Sequence, residues 1–222
     1  MVALFALAAI AKLGAQPVDK VEIQFVSFPA IADPSSVELR IGPEEAIEVE
    51  LPTRSLSEVY RVNRMSHWLL GRSGVDEEGN FAFTTYGKTK VGNGSKQIIL
   101  VMPKGKNYSD GLEMIALNGS QEGLGLGKYL VYNASRTDIA GKIGDKGFNL
   151  KQGGYTILDP EPNEVVNNSK YLFVHLFYRK GDEPKPFKDT KWRHTENAKF
   201  FVFFHHNPGT PQIQVHYIRY YP

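Results

Sequence analysis

The chain of 222 residues contains no cysteine. That absence excludes disulfide cross-links, thiolate metal sites and a cysteine nucleophile. It also excludes the lipid-modified cysteine of a bacterial lipoprotein. A helical period is missing too: no window repeats its apolar residues at the spacing of a long amphipathic helix. Charge of one sign is not in excess, since the formal net charge is +2. No global field therefore points to a nucleic-acid partner. What is present is 41% hydrophobic and 12% aromatic residues, ample for a packed core. The length suits one large β domain or two small ones.

The first twenty residues, MVALFALAAIAKLGAQPVDK, carry an apolar run from Val2 to Ala11. Such a run is too short to span a bilayer. It fits the apolar region of a secretory signal over residues 1–16, with small Gly14 and Ala15 before a cut near Gln16. No Lys or Arg precedes the run, as a signal would require, so the natural start is expected upstream. A buried N-terminal helix is the competing reading. The expectation is export to the periplasm or the extracellular medium, with no transmembrane segment once the signal is removed.

Beyond this segment the chain reads as strands. Val21, Ile23 and Phe25 alternate with Glu22 and Gln24. Val37, Leu39 and Ile41 alternate with Glu38 and Arg40, and Ile47, Val49 and Leu51 with Glu48 and Glu50. A period of two gives one buried and one wet face, the pattern of an antiparallel sheet covered on one side. Pro34, Gly42, Pro43 and Pro52 punctuate these runs. Strands at 67–71 and 81–86 flank the turn-forming Asp76 to Asn80. The unbroken apolar runs at 98–102, 171–178 and 200–204 predict central strands covered on both faces. One helical turn is expected at 162–168.

The stretch YLVYNASRTDIAGKIGDKGFNLKQGGYTIL, residues 129–158, holds four short strands: 129–133, 139–143, 148–150 and 155–158. Gly144-Asp145-Lys146-Gly147 and Gln152-Gly153-Gly154 reverse the chain, because glycine accepts positive φ. Aspartate at such a turn is expected to bond its own backbone. Turns at this spacing suggest a sandwich or barrel, here with the four strands as a meander. The same stretch, with KGDEPKPFKDTKW and FFVFFHHNPGTPQIQVHYIR further on, resembles a group of uncharacterised exported proteins of planctomycete and verrucomicrobial type bacteria. The resemblance covers roughly residues 20–222; Lys151-Gln152-Gly153 departs from the group's usual Pro-Gly turn. More distantly, the stretch is similar to tandem immunoglobulin-like repeats of bacterial surface proteins. The resemblance implies a signal peptide and a β fold, and it brings no activity.

Residues 21–42 and 129–144 share an outline of strand, small polar break, and short strand ending in glycine. The expected fold is thus all-β, an antiparallel, immunoglobulin-like sandwich in two lobes. An N-terminal β lobe would occupy 17–93 and a C-terminal sandwich 94–222. A single elongated sandwich is the alternative.

Catalytic motifs are largely missing. EGLGLGK (122–128) has glycines at every second position, but Tyr129 follows Lys128 where a phosphate loop needs Ser or Thr. The dinucleotide pattern G-x-G-x-x-G and the hydrolase pattern G-x-S-x-G are absent. Glycines in a strand or bulge are the expectation here. The six histidines are His67, His175, His194, His205, His206 and His216. Convergence of His175, His206 and His216 would suit zinc or another metal. But no H-x-H or H-E-x-x-H pattern occurs, and His205 and His206 must point to opposite faces of a strand. Half-buried strand-end histidines are favoured. The carboxylate groups Glu44 and Glu45, Asp76 to Glu78, and Asp182 and Glu183 sit beside turn residues, which favours solvated turns over an acid/base pair.

Trp192, beside Arg193 and His194, and the closing YIRYYP (217–222) are the aromatic leads for sugar stacking. Trp192 plugging the end of the core is the favoured reading. Charge is uneven: residues 17–60 carry −6 and residues 170–222 carry +5. Packing of the two ends would neutralise them. Otherwise a basic face suits an anionic envelope polymer or partner, or supports head-to-tail assembly. The sequons at Asn93, Asn107, Asn118, Asn133 and Asn167 are expected to be incidental if the source is bacterial. No catalytic, metal-binding or cofactor residue is assigned, and the binding residues stay open. The expected role is a non-enzymatic envelope or extracellular binding or assembly protein, with an envelope protein or polysaccharide as partner and no nucleic acid. The alternatives are a carbohydrate-binding module and, third, a hydrolase with a histidine metal site.

Overall fold

Period-two alternation at the start of the described chain forms strand β1, Lys20–Ser27, with Val21, Ile23 and Phe25 fully buried. The computed structural model describes residues 19–28, 37–105, 110–180, 183–207 and 209–222. The expected signal segment, Asn107 and Asp182 lie outside them. The described residues form seventeen strands and no helix, an all-β sandwich-like fold. Among the described residues, no helix is long and apolar enough to cross a membrane.

The first eight strands are β1, β2 (Val37–Arg40), β3 (Ala46–Val49), β4 (Tyr60–Asn63), β5 (His67–Val75), β6 (Phe81–Lys90), β7 (Lys96–Pro103) and β8 (Leu112–Asn118). They make one sheet in the order β3-β2-β5-β6-β8-β7-β1-β4. A single parallel pair, Gly87 with Leu112, joins β6 to β8. Core residues from both halves meet in one cluster: Val21, Ile23 and Phe25 of β1 pack with Leu39 of β2, Trp68 and Leu70 of β5, and Ile99 of β7. The sheet therefore curls on itself as a sandwich of two four-stranded halves.

The second set comprises β9 (Tyr129–Asn133), β10 (Ile139–Ile143), β11 (Lys146–Leu150), β12 (Tyr155–Leu158), β13 (Glu164–Val166), β14 (Ser169–Lys180), β15 (Glu183–His194), β16 (Lys199–His206) and β17 (Ile213–Tyr220). One sheet runs β12-β9-β16-β17 and the other β11-β10-β14, with β13 and β15 also pairing β14. Their facing sides enclose a second core, with Ile139, Leu172, Val174, Phe200 and Val202 at its centre.

The two sets have the same topology. The half-sheet β4-β1-β7-β8 matches β12-β9-β16-β17, and β3-β2-β5-β6 matches β11-β10-β14-β15. In both, the first strand pairs in parallel with the seventh of its set, not counting β13, and every other matched pair is antiparallel. Both long hairpins, β5–β6 and β14–β15, carry one register shift. The shared outline of 21–42 and 129–144 thus marks the first two strands of two equivalent eight-strand units, with β13 as an insertion in the second. Sheet membership changes after β8 and not at residue 93: β7 and β8, expected in the C-terminal lobe, pair with β1 and with each other.

A third core lies between the units. Val26, Phe28, Ile98 and Leu100 meet Leu130, Tyr132, Phe201, Phe203 and Ile218 there. This explains the unbroken apolar runs of β7 and β16. Each shows alternate residues to its own unit and the others to the neighbouring unit, so both faces are dry. Burying a large apolar side chain is worth about 1.5–3 kcal/mol, so the continuous pattern follows from double coverage.

Three local expectations are corrected. The four strands of 129–158 do not form a meander: β9 pairs with β12 in one sheet, and the β10–β11 hairpin between them belongs to the opposite sheet. Residues 162–168 contain β13 rather than a helical turn. Asn167 and Asn168, with φ of 46° and 60°, form the two-residue reversal into β14, a conformation asparagine tolerates well. The glycines of 122–128 lie in neither strand nor bulge. They build turns in the connection to β9, with Gly123 and Gly127 at positive φ and Leu124 seated in the inter-unit core. Asp145 bonds its own backbone, as expected of a turn aspartate, and also accepts the N–H of Glu161 at 2.8 Å, tying the β10–β11 turn to the segment before β13.

Candidate functional site

The histidines do not converge as a metal site would require. His175, His206 and His216 lie on three different strands and in three different surroundings. His175 stands on the outer face of β14, with Nδ1 2.6 Å from Asp189 Oδ1. His206 ends β16 and lines a cleft between the units. His216 of β17 stacks on Phe28 in the inter-unit core, with ring centroids 4.7 Å apart. Its neighbour there is His205, which lies 6.3 Å away and is buried. His194 is buried beside Tyr129, whose hydroxyl is 3.3 Å from Nδ1. Burial, and then Lys170, lowers its pKa. His67 contacts Ser66 on an exposed edge. Among the described residues, no three His, Asp or Glu side chains are grouped to hold a metal ion.

The carboxylate clusters are turns. Asp76 Oδ1 accepts the N–H groups of Glu78 and Asn80 at 3.0 and 2.8 Å. These bonds, with that of Asn80 foremost, hold its carboxyl below the usual range. Glu44 and Glu45 form the β2–β3 turn, where the Glu45 carbonyl accepts from Ile41 and Gly42. Glu183 opens β15.

Trp192 belongs to the core. Its ring stacks on Tyr217 at 4.7 Å and runs parallel to Tyr129 at 6.4 Å, and it packs against the second core cluster. Asn133 is likewise fully buried, so its sequon cannot be reached. Its side-chain amide donates to the carbonyls of Thr137 and Leu150, and its oxygen accepts from the Ser135 N–H and hydroxyl.

The aromatic surface lies elsewhere, on β14. Leu172, Val174 and Leu176 are completely buried, so alternation turns Tyr171, Phe173, His175 and Phe177 outward. The sequence run 171–178 looked buried on both faces, but this outer face is half-exposed, and among the described residues no other layer covers it. The strands beside it complete the surface. Across β15 stand Arg193 opposite Tyr171, Lys191 opposite Phe173, and Asp189 opposite His175. Across β10 stand Lys142 opposite His175 and Ala140 opposite Phe177. Glu164 of β13 lies opposite Tyr171 and pairs with Lys191 at 2.7 Å. The Lys191 ammonium also sits 4.9 Å from the centroid of the Phe173 ring. Small Ala140 and Gly147 keep the β10–β11 side low.

Chemically this is a row of flat apolar rings at strand spacing, about 7 Å from i to i+2, bordered by donors and acceptors of both signs. The signal was legible in the partner strand: Asp189, Lys191 and Arg193 recur every second residue, as on a wet face. Among the described residues, no ion pair joins residues 19–60 to 170–222, so the charged ends do not neutralise each other pairwise. Comparison with protein-family models and with curated proteins finds no match.

Proposed function

We propose that this chain is a non-enzymatic binding protein of the cell envelope or extracellular medium, and that the outer face of β14 holds an extended polysaccharide. One observation carries the reading: Tyr171, Phe173, His175 and Phe177 stand in a line on a sheet face that no described residue layers over, flanked by Lys142, Asp189, Lys191 and Arg193. Pyranose rings have apolar C–H faces that stack on aromatic rings and hydroxyl rims that take hydrogen bonds from charged neighbours. An extended β-1,4-linked chain would present successive rings along such a line. The resemblance to exported bacterial β proteins supports the same setting.

The test is co-sedimentation of the chain from residue 17 with insoluble xylan, cellulose and chitin. Retention by at least one of them, reduced tenfold or more in Phe173→Ala, is the expected result. A wild-type chain that stays in the supernatant with all three contradicts the reading.

A further inference from the structure

A second surface feature is independent of the β14 face: a cleft of about 750 Å³ where the two eight-strand units meet. The size lies within the range of small-molecule sites. Its walls come from four segments: the end of β7 with the start of β8, the loop after β9, Gln152 in the β11–β12 turn, and the end of β16 with described residues that follow it. Met102, Pro103 and Ala134 supply an apolar floor. Lys104, Arg136 and His206 bring nitrogen groups to it, and Glu113 brings a single carboxylate.

Several features make this more than a crevice. Lys104 and Arg136 have no carboxylate partner among the described residues. His206 has a buried Nδ1 with no hydrogen-bond partner there. The loop that presents Arg136 is held from beneath. Asn133 and Ser135 bond into it four times, through the Thr137 carbonyl, the Ser135 N–H and the two side chains. A cation is thus displayed on a braced loop, a condition for binding without a large ordering cost.

We infer that this cleft binds a small hydroxylated monocarboxylate of the hexuronate kind. Two cations against one carboxylate leave a single positive charge, which matches a monoanion better than a doubly charged phosphate. The Arg136 guanidinium suits a carboxylate, which it can grip with two parallel N–H donors. Glu113 accepts hydrogen bonds from sugar hydroxyls but repels a second anionic group. The apolar floor takes the C–H face of the ring.

Calorimetric titration of the chain with glucuronate, glucose and inorganic phosphate tests this. Glucuronate is expected to bind once per chain and to weaken with salt, with glucose at least tenfold weaker. Arg136→Gln and Lys104→Gln each weaken glucuronate tenfold or more, while Glu113→Gln strengthens it. All three positions are exposed, so the variants fold. In nuclear magnetic resonance spectra the ring signals of His206 shift on addition of glucuronate. Phosphate binding as tight as glucuronate, with Glu113→Gln neutral for the sugar acid, would make this a bare anion site and overturn the assignment. So would an absence of glucuronate binding, or affinity unchanged in Arg136→Gln.

Discussion

Phe28, the last described residue after β1, lies between two histidines of the other unit: its ring centroid is 4.4 Å from that of His205 and 4.7 Å from that of His216. Neither imidazole has a described carboxylate partner. The groups facing them from the neighbouring segments are Thr53 and Arg54, with Asn207 and Gln214 beside their own strands. Burial lowers both pKa values, that of His205 to about 4 from 6.5. Both rings are therefore neutral in the folded protein at neutral pH.

The sign of the resulting pH dependence follows. Between about pH 4 and 6.5 the unfolded chain binds a proton at His205 and the folded chain does not. Stability is complete above pH 6.5 and falls as the pH drops towards 4. His205 alone contributes on the order of 3 kcal/mol over that interval. Denaturant melts at pH 7.5 and pH 5 are expected to show about 2 kcal/mol of this loss, and His205→Phe to reduce it. A flat profile between those values would contradict the neutral, buried state.

Asn133 anchors the loop after β9 through four side-chain hydrogen bonds within a buried site. Asn133→Ala leaves the carbonyls of Thr137 and Leu150 and the Ser135 groups without these partners. A loss of about 2–4 kcal/mol is expected in urea unfolding, since each buried polar group left unpaired costs about 1–3 kcal/mol.

Trp68 is fully buried, and its Nε1 donates to Gln97 Oε1 at 2.8 Å; Gln97 in turn donates to the Gly92 carbonyl at 2.7 Å. Gln97→Leu keeps the volume and strands the indole N–H. Destabilisation of about 1–3 kcal/mol is expected by thermal or chemical unfolding.

Trp192 separates packing from binding. Trp192→Ala removes a ring stacked on Tyr217 and is expected to destabilise the chain by about 3 kcal/mol. Polysaccharide affinity of the folded fraction should stay within twofold of the wild type, and indole fluorescence should not respond to xylan. A tryptophan signal that saturates with added polymer would place the contact at Trp192 instead.

Much of the fold could be read from alternation and turn residues. β1, β2 and β3 follow from their period of two, and the β10–β11 hairpin from Gly144 at positive φ. The pairing partners could not be read this way. Nothing local in 129–158 says that β9 skips β10 and β11 to join β12, because sheet choice depends on contacts distant in the chain. The two faces of β14 were misjudged for a related reason. A run such as YLFVHLFY has no polar residue to mark a wet side except His175, and half-exposed aromatic rings look the same in sequence as buried ones. The histidines failed as a group because period two fixes a side chain's face on its own strand but not which strand lies across from it. His205, which shares a site with His216, was therefore not singled out.

The most direct measurement is the affinity of xylohexaose for the wild-type chain and for the Tyr171→Ala/Phe173→Ala double variant, by calorimetry at one salt concentration. Both rings are only half-buried, so the variant is expected to fold. A saturable wild-type isotherm that weakens tenfold or more in the variant is the predicted result. Equal affinity in the two proteins, or no heat of binding in either, would contradict a polysaccharide-binding role for the outer face of β14.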